Sequence, residues 1–219
     1  MRLVTIGEGS AEIVEKKSRF IATAKEIHSE QEALEFLEMM RKKYWDARHN
    51  CYAYVLGKNS ELQRFSDDRE PQGTAGKPIL EVLNGSDLRN TIIVVTRYFG
   101  GVLLGTGGLV RAYSSSASKV LTEMKEEGKI LEASEGKKLS FDCSYKDAGR
   151  IDSVISARGA LVISKEYAEN ASYQIAVRDE AEEAFLKAAS DATSGSFAVK
   201  DVEELTFITD GNRAVVYKF

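Results

Sequence analysis

Two cysteines, two histidines and no long apolar run narrow the chemistry of this 219-residue chain before any motif is read. Cys51 and Cys143 are too few for a disulfide framework, and a reducing, cytoplasmic setting is the simpler reading. Both read as small buried hydrophobes. With His28 and His49 the only histidines, no Cys/His cluster has zinc spacing. No G-x-S-x-G elbow is present for a hydrolase. No stretch approaches the roughly 18 apolar residues of a membrane span. The opening Met1-Arg2-Leu3-Val4-Thr5-Ile6-Gly7-Glu8 lacks the apolar run of a signal peptide, so no membrane partner is expected. A formal net charge of −4 argues against a protein that coats nucleic acid generally, but leaves room for a local basic patch.

What is present is an ordinary globular balance, 43% hydrophobic and 29% charged, enough for a core in each of two small domains. Alternation over 3–6 and apolar pairs at 13–14 and 20–22 predict strands. Ser29 predicts a helix start with Glu32 at the capping-box position. Ala33, Leu34, Leu37 and Met40 continue at helical spacing to Lys42-Lys43. Strands are predicted at 51–56 and 63–65, a polar loop at 66–73 and a short helix at 79–83. The β-branched run 92–96 has the character of a central buried strand, and 109–124 reads as a helix. The small, polar stretch 132–136 predicts a linker. Beyond it come a strand at 139–143, a helix at 147–157 and a hairpin of 160–164 with 173–177. A helix capped by Asp179 and strands at 199–207 and 214–217 complete the order. The sequence β-α-β-β-α-β is that of a ferredoxin-like split βαβ domain. The expected class is α+β in two domains, 1–133 and 137–219.

Three clusters carry chemistry. In Ser66-Asp67-Asp68-Arg69-Glu70-Pro71-Gln72-Gly73-Thr74, three carboxylates occupy four positions. Such a loop suits a hard cation, Mg²⁺, or a basic partner; it equally suits a turn, since Asp, Pro and Gly are turn formers. In Thr96-Arg97-Tyr98-Phe99-Gly100-Gly101, an arginine beside two aromatics at a strand end can grip phosphate and stack on a base. Alternatively Tyr98 and Phe99 are core, and Arg97 pairs with Asp67 or Asp68. In Gly105-Thr106-Gly107-Gly108, a glycine-rich loop opens a helix whose N-terminal N–H groups favour an anion, or simply makes a tight turn. Neither this loop nor Gly76-Lys77 fits a Walker A pattern. His49 with Ser66 and Asp67 could be drawn as a triad, but their spacing does not support one.

Taken together the clusters are specific. Lys17-Ser18-Arg19-Phe20-Ile21-Ala22, Ala47-Arg48-His49-Asn50-Cys51-Tyr52-Ala53-Tyr54, the acidic loop through Thr74-Ala75-Gly76-x-Pro78, Val95-Thr96-Arg97-Tyr98-Phe99-Gly100-Gly101 and Leu104-Gly105-x-Gly107-Gly108-Leu109-Val110-Arg111-Ala112-Tyr113 resemble the YigZ/IMPACT family in order and interval. Asp147-x-Gly149-Arg150 resembles, more weakly, the smaller domain of its bacterial members. One departure stands out: the family usually has glycine after the paired aspartates, where this chain has Arg69, a cation that could neutralise the acids. The resemblance implies a ribosomal-protein-S-five-domain-two-like α/β sandwich followed by a ferredoxin-like domain like domain V of elongation factor G. Eukaryotic relatives in the family regulate translation by competing for an activator of a stress kinase, a pathway that bacteria lack.

Three functions follow as expectations. The first is a non-catalytic translation-associated regulator that binds RNA, the ribosome or a translation factor. In it Arg97, Arg111, Lys77 and Tyr98 contact nucleic acid, Gly100, Gly101, Gly105, Gly107 and Gly108 shape an anion-receptive loop, and His49, Ser66, Asp67, Asp68, Glu70 and Thr74 order the surface. No catalytic residue, metal ligand or cofactor is assigned; Mg²⁺ is the one ion the acidic loop could take. The second is a phosphate- or nucleotide-binding enzyme that uses the glycine-rich loop with the acidic loop. The third is a protein–protein adaptor working through the sheet of the second domain. A homodimer is left open.

Overall fold

The structure, a computed structural model, describes residues 2–211 and 213–219. It divides into two compact units, one running to Leu131 and including Phe219, the other Glu132–Lys218.

The first unit is a five-stranded antiparallel sheet with helices on both faces. Its strands are β2 (Glu8–Glu15), β3 (Ser18–Glu26), β7 (Thr91–Tyr98), β4 (His49–Leu56) and β5 (Leu62–Ser66), neighbours in that order. A short parallel pair, β1 (Arg2–Thr5) with β6 (Leu88–Arg89), lies outside this sheet. The central strand β7 is buried from Thr91 to Arg97, as its β-branched run predicts. Its alternation feeds two cores. Ile93 and Val95 pack with Phe20, Ile79, Leu109 and Tyr113 under helices α2 (Gly76–Gly85) and α3 (Thr106–Glu126). Ile92 and Val94 pack with Phe36, Leu37 and Met40 under helix α1 (Glu30–Lys43). Each such fully buried aliphatic side chain contributes about 1.5–3 kcal/mol. The α1 start is nearly as expected. The Glu32 N–H donates to Ser29 Oγ at 3.1 Å, but the Glu32 carboxylate accepts from His28 N–H, one residue earlier than a capping box requires.

The second unit contains β8 (Ile130–Cys143), α4 (Tyr145–Ala157), β9 (Leu161–Tyr167), β10 (Ala171–Arg178), α5 (Glu182–Ala192), β11 (Val199–Asp210) and β12 (Arg213–Val216). The order β11-β8-β10-β9, with every neighbour antiparallel, is that of a split βαβ unit. Phe141, Tyr173 and Phe185 form its core beneath α4 and α5. The last strand adds something the element order did not show. β12 folds back on β11 and meets β9 through Arg213 and Val162, closing the strands into a ring around Ala176, Leu205, Phe207 and Ala214.

Two expectations are corrected. Residues 132–136 are no linker; they lie inside the single strand β8. Gly136 reflects crowding: it is paired with Arg178 on one side and Leu205 on the other, and a Cβ there would collide with the Val177 carbonyl. Asp179 does not cap a helix. It opens a 3-10 turn that runs into α5, and neither carries a side-chain cap. No helix among the described residues is long and apolar enough to cross a membrane.

Candidate functional site

The acidic loop folds against the ends of β4 and β7, and its carboxylates are already engaged. Asp67 accepts from the N–H groups of Gly73 (2.8 Å), Ala75 (3.0 Å) and Gly76 (2.8 Å), which ties the loop to the start of α2. Asp68 accepts from Asn50 N–H at 2.6 Å, its own N–H donates to Ser66 Oγ, and its carbonyl lies 2.8 Å from His49 Nδ1. Thr74 Oγ1 donates to the Pro71 carbonyl at 2.6 Å. Glu70 is 8% exposed and accepts at one oxygen from Arg97 (2.6 Å) and from the Tyr113 hydroxyl (2.8 Å), with His49 Nε2 at 3.9 Å. The bonds to ionised acids are the stronger kind, so this loop is a rigid support.

Burial dictates the remaining chemistry here. It pushes the Cys51 thiol far above its ordinary range, and the Tyr113 hydroxyl likewise. Both stay protonated. The thiol lies 3.0 Å from the Asp67 carbonyl and 3.4 Å from the Tyr113 oxygen, and Tyr113 donates onward to Glu70.

The placement corrects several sequence readings. Arg97 is 7% exposed and pairs with Glu70, not with Asp67 or Asp68; its guanidinium lies 5.4 and 5.7 Å from the ring centres of Phe20 and Phe99, so its charge is paired inside the fold. Tyr98 points to the opposite face of the sheet, where its hydroxyl donates to Asp46 at 2.7 Å and Arg19 stands over its ring at 5.5 Å. Lys77 is exposed on α2 beside Glu81. Arg69 meets the acids only through a long, largely exposed ion pair with Asp68 at 3.8 Å, and its side chain donates to the Arg48 carbonyl. Its φ of +70° lies in the left-handed region that favours glycine. His49 and Ser66 make no triad with Asp67; both bond within the loop.

The glycine-rich segment faces outward. Gly100 lies so close to the turn between β2 and β3 that a Cβ would collide with the Lys17 carbonyl, and its N–H donates to Ser18 Oγ at 3.1 Å. Gly101 is exposed, and Val102 and Leu103 follow it into solvent, Leu103 at 83%. Gly105 is the N-cap of α3 and brings no side chain to the first turn, so the N–H groups around Gly107 and Gly108 point outward uncapped. Beside that turn a cavity of about 250 Å³ is lined by Leu104, Gly108, Arg111, Ser115, Lys16 and Glu15, among others. Arg111 is exposed and joins this loop from the third sequence cluster.

Lys16 and Lys17 were not foreseen as site residues. They form the two-residue turn between β2 and β3, with φ of +45° and +67°. The apolar residues at 13–14 and 20–22 predicted two strands but not their connection; nothing in Lys-Lys signals a left-handed turn, which favours Asn-Gly. Two long basic residues thus occupy a strained turn, and Lys16 lines the cavity at the open end of α3; strain of this kind concentrates where function requires it.

Comparison with known proteins gives the lineage. A family profile described as "Impact N-terminal domain" matches residues 16–121, and one described as "Domain of unknown function (DUF1949)" matches residues 141–196. The chain is 39% identical to the IMPACT family member YvyE of Bacillus subtilis over 200 residues, covering 91% of this chain and 90% of that one. It is 34% identical to the IMPACT family member YigZ of Escherichia coli, with coverage of 86% and 92%. A solved structure titled as that of a hypothetical protein aligns with a TM-score of 0.56 at 31% identity over 90% of this chain and 95% of the other. With both profiles in order and full-length relatives at this identity, the chain belongs to the IMPACT family.

Proposed function

We propose that this protein is a non-catalytic, translation-associated RNA-binding regulator that takes the phosphate backbone of ribosomal or other structured RNA at the open start of α3. The carrying observation is that Lys16 and Arg111 line one cavity beside an uncapped helix N-terminus, with Lys17 next to Lys16 in the turn. Among the described residues none of the three meets a carboxylate in an ion pair, although Glu15 lines the same cavity. Backbone N–H groups and cations together favour phosphate. The role in translation comes from the family resemblance, and the ribosome or a translation factor is the corresponding partner class. Binding is favoured over catalysis because the acids that an Mg²⁺-dependent phosphoryl transfer would need accept hydrogen bonds from backbone, Arg97 and Tyr113 instead.

Ribosome co-sedimentation over a salt series tests the reading. The wild type is expected to pellet at low salt. Arg111→Ala should weaken binding and reduce the slope of log affinity against log salt by about one. If neither protein pellets at any salt, the ribosome is not the partner; if Arg111→Ala and Lys16→Ala/Lys17→Ala bind as wild type does, the surface is wrong.

A further inference from the structure

The first unit exposes a second surface that this phosphate site does not use. From the last turn of α1 to the start of β4 the chain reads Arg41-Lys42-Lys43-Tyr44-Trp45-Asp46-Ala47-Arg48, four cations and two aromatics against one carboxylate, in a protein of net charge −4. Trp45 is 82% exposed. Its large apolar surface is therefore left in water, where it contributes nothing to the core. The acids nearby are occupied: Asp46 accepts from the Tyr98 hydroxyl, and Glu38 pairs with Arg41 at 2.6 Å. Lys43 stands over the Tyr44 ring at 5.3 Å, as Arg19 does over Tyr98. Lys42 and Arg48 meet no carboxylate in an ion pair among the described residues. Lysines in the last turn of a helix suit its dipole, but the dipole explains neither Trp45 nor Arg48, which lie beyond the helix end.

We infer that Trp45 stacks on an unpaired base of RNA, with Lys42 and Arg48 holding the flanking phosphates. A flat, exposed indole flanked in the chain by cations outside any ion pair, Lys42 three residues before it and Arg48 three after, matches a base with its phosphates, since every base offers a π-face and every linkage a negative charge. The inference rests on the RNA-binding reading above and adds to it a single-stranded segment.

Trp45 is the only tryptophan, so all indole fluorescence of the chain reports this corner. The intact protein is titrated at low salt with a single-stranded adenosine 12-mer and, in parallel, with polyphosphate, a polyanion without bases. RNA is expected to quench the fluorescence, and polyphosphate to bind without quenching. Trp45→Ala should weaken RNA binding by between about five- and about a hundred-fold, the worth of one stacked base. It should leave polyphosphate binding unchanged, and Trp45→Phe should recover part of the loss. Because the side chain is exposed, an unchanged urea midpoint verifies that Trp45→Ala folds. RNA binding with no quenching and with Trp45→Ala equal to wild type overturns the inference, leaves the phosphate site standing and assigns the corner to a protein partner. Absence of binding to both RNA and polyphosphate removes the RNA reading, and this inference with it.

Discussion

Replacing Glu70 by alanine is the most direct test of what supports the site. Its side chain is 3% exposed and that of Arg97 8%, with 2.6 Å between them. Removing one partner of a buried pair strands the other charge, at a cost of about 3–5 kcal/mol. The Tyr113 hydroxyl loses its acceptor too, and an unsatisfied buried donor costs about 1–3 kcal/mol, part of which relaxation recovers. A total near 4 kcal/mol is a large share of the roughly 5–15 kcal/mol that holds a domain together. With a urea slope of about 2 kcal/mol per molar, the midpoint falls by about 2 M. Pulse labelling of the buried Cys51 thiol along the urea series follows the first unit alone, so the second does not confuse the reading. Arg97→Ala in the Glu70→Ala background should add little, because the stranded charge is gone; the two changes then cost less together than apart by about 2 kcal/mol or more. A midpoint for Glu70→Ala within about 0.5 M of wild type would refute the reasoning, and Arg97 would again be free to meet a phosphate.

Three further outcomes are expected. Lys16→Asn/Lys17→Gly, which supplies the residues a left-handed two-residue turn favours, should raise stability by about 1 kcal/mol while weakening polyphosphate binding; a gain in both would show that the lysines are incidental. Arg69→Gly should be neutral to stabilising by up to about 1 kcal/mol in urea unfolding, since it relieves φ of +70° and gives up an exposed hydrogen bond and a long, exposed ion pair, which are worth little; Arg69→Ala keeps the strain and should not stabilise. Thiol reagents at pH 8 should label Cys143 in the native protein and reach Cys51 only on unfolding, because burial both shields Cys51 and raises its pKa. Mass spectrometry of the labelled peptides separates the two.

Periodicity made the elements legible. The run 92–96 announced a strand buried on both faces, and Ser29 with Glu32 announced the start of α1. The stretch 132–136 misled because small polar residues suit both a linker and a crowded strand; only the pairing of Gly136 on two sides separates these. The site was legible as a region and less so in its parts. The clusters named segments that the fold bonds together, Glu70 with Arg97 and Tyr113, but sequence does not say toward which face a side chain points, and that decides between Arg97 as a ligand group and Arg97 as a buried counter-ion. Strict alternation along β7 put Arg97 with Ile93 and Val95 on the inner face, a reading that needs the strand's register to be known. The basic-aromatic stretch around Trp45 sits between two regular elements and resembles an ordinary helix end until its exposure is seen.

The ring of strands in the second unit has a practical consequence. An open sheet offers unpaired backbone at each edge, a template for another chain. Here β12 lies against the strand that would otherwise be one such edge. Cutting the chain after Asp210 would remove it, uncover Leu161 and Ile163 beside Leu205 and Phe207, and restore an edge able to recruit a neighbour. Such a shortened protein should express poorly and precipitate on concentration, for reasons unrelated to its ligand. For the intact protein, an adaptor role in this unit would rest on side-chain recognition across a face, not on the addition of a strand.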